Sequence, residues 1–193
     1  MLVISRGIFH PSVFCRRQLR TALLESNGVN FDFTSNLNRL DGIDTNMYKA
    51  VVLFFHKREI TESYLKSLLS FVNSGGGLFC LHGALASFKE YDTYQKLTGS
   101  KFTGHDRIME FKISGELQFS IKDELYLFDL EPDCDVRLRS GKVPVFWTRD
   151  YGRGRVACLS PGHKVQTLKN AIFRKLMNSI VTDEINLYGG EDG

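Results

Sequence analysis

Residues 49–55 read KAVVLFF and residues 78–81 read LFCL, two apolar runs without polar alternation. A half-exposed strand alternates apolar and polar side chains, so an unbroken run needs cover on both faces. That is the environment of a parallel strand held between two helical layers. Between the runs, Leu65, Leu68, Leu69 and Val72 recur at helical spacing behind Thr61, an N-capping residue type, and Glu62 in the first turn. Strand, helix and strand in this order specify a doubly wound α/β sheet. Gly75-Gly76-Gly77 stops the helix; a phosphate loop would need a Lys-Ser/Thr pair that does not follow.

The flanking segments extend the pattern. Residues 2–5 form a short buried strand. A helix carrying Val13, Leu19, Ala22, Leu23 and Leu24 follows and is expected to end at Asn27-Gly28. Residues 29–33 are the next strand, and 84–98 a further helix. Beyond Gly104 the period shortens: 109–114, 117–121, 125–130 and 136–139 are β-like segments, a β-rich insertion or sheet edge in the second half. Residues 143–148 and 155–160 flank Tyr151-Gly152-Arg153-Gly154 as a hairpin. A helix over 165–181 closes the chain. At 193 residues one domain suffices, assigned to 1–185, with 186–193 as a flexible tail.

Several function classes are excluded by composition. A net charge of +3, dispersed along the chain, lacks the basic stripe that nucleic acid requires. The first residues are too short in apolar length for a secretory signal, and no segment approaches a membrane span. Cys15, Cys80, Cys134 and Cys158 form no CxxC pair, and Cys80 and Cys158 sit inside apolar strands as reduced thiols. A cytoplasmic setting follows, without nucleic acid or membrane partners.

The histidines carry the functional signal. In open α/β sheets ligands bind beyond the carboxyl ends of the strands. His10, His56, His82 and His163 each follow a predicted strand, whereas His105 follows a helix. Taken singly, each also fits an exposed loop; as a set they suit acid/base chemistry or a metal. His82 stands at a strand-to-helix turn, His82-Gly83-Ala84, where one side chain is presented to the crevice. Nucleophile-elbow enzymes place Ser or Cys there. Asp123-Glu124 beside Tyr126 offers paired carboxylates that orient a histidine, act as base or form a solvated turn. Trp147 suits either a sugar face or the core.

Five ordered segments then carry a resemblance. GGGLFCLHGA over 75–84, YQKLTGSKFTGH over 94–105, DELY over 123–126, PVFW over 144–147 leading to YGRGRV over 151–156, and LSPGH over 159–163 resemble ThuA-like (trehalose-utilisation) proteins. IFH over 8–10 is a looser match. The His-Pro pair that often precedes DELY in that family is absent from 117–122. The resemblance implies a three-layer, doubly wound, mostly parallel α/β sheet of the class I glutamine amidotransferase-like (flavodoxin-like) type. It also implies carbohydrate metabolism, with a small sugar or keto-sugar as partner; a homo-oligomer is left open.

Roles are assigned on this basis: His82, His105 and Glu124 to catalysis, and His10, Tyr126, Trp147 and His163 to substrate binding. The histidines also suit a divalent metal, zinc being the natural choice. Amidotransferase activity is expected to be absent, because thioester chemistry needs an activated thiolate at the elbow and Cys80 lies two residues back inside the strand. The competing reading is a non-catalytic ligand-binding or assembly module on the same scaffold.

Overall fold

The computed structural model describes residues 1–8 and 11–185. His10 and the tail expected over 186–193 lie outside the described residues. The chain runs β1 (Leu2–Arg6), α1 (Val13–Leu23), β2 (Asp32–Thr34), β3 (Ala50–Phe55), α2 (Glu62–Asn73) and β4 (Gly77–Leu81). After a 3-10 turn (His82–Ala84) come α3 (Asp92–Thr98), β5 (Ser100–His105), β6 (Met109–Gly115), β7 (Phe119–Asp123), β8 (Tyr126–Leu130) and β9 (Asp135–Ser140). The chain continues with β10 (Val143–Tyr151), β11 (Gly154–Leu159), α4 (Val165–Lys169) and α5 (Ala171–Ser179), and a π-helical turn (Ile180–Glu184) follows.

A nine-stranded sheet of order β2-β1-β3-β4-β11-β10-β9-β6-β7 forms the middle layer. Strands β2, β1, β3, β4 and β11 pair in parallel. From β11 outward through β10, β9, β6 and β7 every pairing is antiparallel. The β-rich second half thus continues the same sheet. Among the described strands only β5 and β8 leave it, as a separate two-stranded antiparallel ribbon.

The apolar runs are explained by the two faces of this sheet. Successive strand residues point to opposite sides, so Ala50, Val52 and Phe54 of β3 join one core while Val51, Leu53 and Phe55 join the other. Strand β4 divides likewise, Phe79 and Leu81 against Leu78 and Cys80. The first core is closed by α1, α4 and α5 through Leu19, Leu23, Leu168, Phe173 and Met177. The second is closed by α2 and α3 through Leu65, Leu68, Phe71, Tyr94 and Leu97.

Three sequence expectations are corrected. The helix expected over 84–98 shrinks to α3, because Phe88 N–H donates to Lys57 O (2.9 Å) and Ser87 Oγ donates to Gly83 O (2.8 Å) while accepting from Lys57 N–H (3.0 Å). The Ser87 hydroxyl keeps its bond to the preceding turn, but the two bonds with Lys57 tie the segment to the β3–α2 loop and turn Phe88 N–H out of the helical pattern. The closing helix breaks at Asn170, whose side chain caps Ile172 and Phe173 N–H at 3.0 and 3.1 Å. His105 does not follow a helix: it is the last residue of β5, a strand not anticipated. The smaller shifts are at α1, which stops at Leu23, and β2, which is confined to Asp32–Thr34.

Candidate functional site

The parallel strands β4 and β11 end on the same edge, and their first loop residues meet there. His82, directly after β4, takes a left-handed conformation at φ 47°, which costs a non-glycine residue on the order of 1–2 kcal/mol. The residue after it has to be glycine, since a Cβ on Gly83 would lie 2.7 Å from Phe55 O. This sharp turn aims the His82 ring at the β11 loop, where it is 0% exposed. Its Nδ1 lies 2.9 Å from Ser160 O. A carbonyl only accepts, so Nδ1 carries the proton and the lone pair of the neutral ring sits on Nε2. That nitrogen faces the Tyr126 hydroxyl at 3.2 Å and Glu124 Oε2 at 3.8 Å.

The β7–β8 connection supplies the acidic side of the site. Asp123 is 0% exposed. Its Oδ1 accepts from Glu124 N (2.7 Å) and His163 N (3.1 Å), and its Oδ2 from Gly162 N (3.2 Å) and Lys164 N (3.3 Å). Burial pushes its carboxyl above the ordinary value, and the surrounding hydrogen bonds oppose that shift. This one carboxylate fastens the loop after β11 to the end of β7 and so fixes the backbone of both Glu124 and His163. Cys15 of α1 adds a third tie by donating from Sγ to His163 O (3.2 Å).

Held in this way, Glu124 Oε2 lies 3.4 Å from His163 Nδ1. The ligand atoms of His82, Glu124 and His163 all fall within 4.8 Å of one another. Metal–ligand bonds of about 2.0 Å set ligand atoms about 3.3 Å apart, so the trio, closing by at most about 1.5 Å, would hold a divalent ion. The supporting contacts suit that chemistry: Ser160 O fixes the His82 tautomer, and Asp123 holds the other two.

Tyr126 and His105 form the far wall. Antiparallel pairing of β5 with β8 sets His105 opposite Tyr126, with ring centroids 5.8 Å apart. Tyr126 stacks on His82 at 4.4 Å, and burial, followed by the negative charge of Glu124 and Asp123, holds its phenol protonated well above the usual range. His105 is exposed, with Nδ1 3.0 Å from Asp106 O. A cavity of about 330 Å³ opens beside them, lined by Glu124, Tyr126, His105, Phe102, Lys89 and His56.

Of the residues assigned from sequence, His82, Glu124, Tyr126 and His163 converge, and His105 joins them across the Tyr126 ring. Trp147 does not. It is 0% exposed, its Nε1 donates to Thr98 O (3.0 Å) and its ring packs edge-on against Phe128, so it presents no face to a ligand. The thiol two residues before His82 lies elsewhere: Cys80 is fully buried in the α2–α3 core, 3.6 Å from Tyr94 Oη. Sequence reasoning missed the tying role of Asp123, although the signal was present. Phe119, Ile121 and Asp123 share one parity in β7 and are all buried, so strand alternation turns Asp123 inward and leaves Glu124 to the turn. Lys89 and Cys15 gave no comparable signal.

Comparison with known proteins adds three findings. A family model described as ThuA, trehalose utilisation, matches residues 1–181. Among solved structures, a ThuA-like protein from Bacteroides uniformis superposes with a TM-score of 0.75 at 15% identity, covering 93% of this chain and 88% of that one. A cytoplasmic protein from Salmonella typhimurium LT2 gives 0.64 at 14% identity, with 86% and 85% covered. A glycoside hydrolase family 42 β-galactosidase from G. stearothermophilus gives 0.64 at 12% identity, and there this chain corresponds to only 30% of the larger enzyme. A search of curated proteins by sequence gave no match.

Proposed function

Since the chain belongs to the trehalose-utilisation (ThuA) family, we propose that it is an enzyme of carbohydrate metabolism that works on a small sugar or keto-sugar at its His82–Glu124–His163 centre. The observation that carries this reading is the convergence of those three donor atoms within 4.8 Å at the rim of the parallel strands, next to a cavity of about 330 Å³. The cytoplasm is the proposed setting, and no helix among the described residues is long and apolar enough to cross a membrane.

The residues divide the work by chemistry. Glu124, 13% exposed between two imidazoles, is the proton acceptor. Tyr126 keeps its proton and offers it to a substrate oxygen. His105, exposed at the mouth, is placed to hydrogen-bond the entering substrate. His82 Nε2, Glu124 Oε2 and His163 Nδ1 would hold a divalent ion such as zinc, which when bound supplies a Lewis acid for a sugar carbonyl or an activated water. Glutaminase activity is excluded from the reading, because the elbow side chain is an imidazole and Cys80 is buried.

Metal content of protein purified without added ions, together with a sugar panel followed for thermal stabilisation and for chemical change, tests the proposal. Turnover of a sugar that is lost in Glu124→Gln supports it; glutamine hydrolysis by the purified protein overturns it. A second reading, a non-catalytic ligand-binding module, is favoured by one observation: His82 is 0% exposed and both its ring nitrogens already face partners. Stabilisation by a sugar that stays chemically unaltered selects that reading.

A further inference from the structure

Two loops beside the site are clamped together in a strained geometry. Lys57 N–H donates to Ser87 Oγ (3.0 Å) and Phe88 N–H donates to Lys57 O (2.9 Å), so the β3–α2 loop and the segment before α3 share a short backbone bridge. Phe88 makes its bond at φ 53°, an arrangement that a bulky residue keeps only when its surroundings dictate it. They do dictate it: its ring is 0% exposed, packed on Phe55 and edge-on to Tyr94. The next residue on each side of the bridge is a cation, Arg58 on one loop and Lys89 on the other.

Those cations border the site. Lys89 lines the cavity that holds Glu124, Tyr126 and His105, with Nζ 4.3 Å above the Phe102 ring. It also lines an adjoining cavity of about 330 Å³ that contains Arg58 and Glu90 and shares His56 and Ala86 with the first. Neither cation pairs with a carboxylate among the described residues; Glu90, the one acid on this lining, forms no ion pair with either. His56 registers the excess positive charge: burial lowers its proton affinity first, and Lys89 and Arg58 lower it further. Two like charges carried by the bridged loops onto one cavity lining, neither of them ion-paired with the Glu90 carboxylate there, form a seat for an anion.

We propose that the sugar taken by this site is anionic, with an oxyanion, phosphate or carboxylate, seated between Lys89 and Arg58 and its ring in the first cavity beside Tyr126 and His105. The inference rests on the sugar reading given above and names the substrate class within it. Both side chains are exposed, so Lys89→Met combined with Arg58→Gln removes the charges without touching the core.

Calorimetric titration of the full chain at low ionic strength with glucose, its phosphate monoester, glucuronate and inorganic phosphate tests the seat. Two charge-assisted contacts predict that an anionic sugar binds at least about tenfold more tightly than the neutral one. The double variant is expected to bring the ratio to within about twofold. The phosphate ester and glucuronate arms tell which oxyanion is preferred. Equal binding of neutral and anionic sugars by the wild type, or a preference that survives in the double variant, overturns the proposal. Inorganic phosphate that binds the wild type and not the double variant, with no sugar bound by either, upholds the anion seat and removes the sugar reading. Absence of binding by all four probes overturns the seat.

Discussion

Replacing Asp123 by Asn removes one charge and turns one acceptor atom into a donor. In the wild type each carboxylate oxygen accepts from two backbone N–H groups. A protonated carboxyl would set its own O–H against those donors, so the ionised form is the one the loop is built around. The carboxamide oxygen can keep the Glu124 and His163 N–H groups, but the NH2 then meets Gly162 and Lys164 N–H with no lone pair to offer. Hydrogen bonds to a charged group contribute about 1.5–3 kcal/mol each, so two lost bonds cost about 3–6 kcal/mol, and loop relaxation toward water trims this to about 3 kcal/mol. With a urea dependence of about 2 kcal/mol per molar, the unfolding midpoint falls by about 1.5 M. Trp147, the one Trp of the chain and 0% exposed, reports the transition by fluorescence. A midpoint within about 0.3 M of wild type refutes the argument that Asp123 fastens this loop.

Three further outcomes are expected. Tyr126→Phe keeps the ring stacked on His82 but loses the hydroxyl at 3.2 Å from Nε2; sugar turnover falls by about 100-fold, with the urea midpoint nearly unchanged. Trp147→Phe leaves Thr98 O without its indole donor and costs about 1–3 kcal/mol by urea unfolding, while sugar binding by calorimetry is unaltered. Burial first of all pushes the half-buried Cys134 thiol up to about 11. Only the thiolate is alkylated, so labelling of Cys134 by iodoacetamide, read by peptide mass spectrometry, rises about tenfold per pH unit from pH 8 to 10 without a plateau.

The parts of the fold that could be read from the sequence are those that local physics decides. Strands β3 and β4 announce themselves because every residue is covered, whichever face it points to. His82 is legible because a strand running into His-Gly leaves little choice of turn. The parts that could not be read are decided at a distance. Nothing in residues 84–91 states that Phe88 N–H will bond to Lys57 O instead of to the preceding turn, or that Ser87 Oγ will also accept from Lys57 N–H. Strand β5 lacks an apolar stripe, since its burial alternates between buried or half-buried and exposed along SKFTGH. Trp147 shows how composition misleads: a lone aromatic is equally at home under a sugar or under Phe128, and only its neighbours decide. In DELY the pair of acids was visible, but which of them turned inward depended on the parity of β7.

The Ser160 carbonyl has a quiet consequence. By holding the His82 Nδ1 proton, it leaves that ring a single electron pair to lend, and the Tyr126 hydroxyl has the first claim on it. Any newcomer at that nitrogen, proton or cation, displaces the tyrosine, whose O–H must then look outward for an acceptor in the open cavity. Occupancy of the centre and release of the phenol are thereby one event, decided at a single atom.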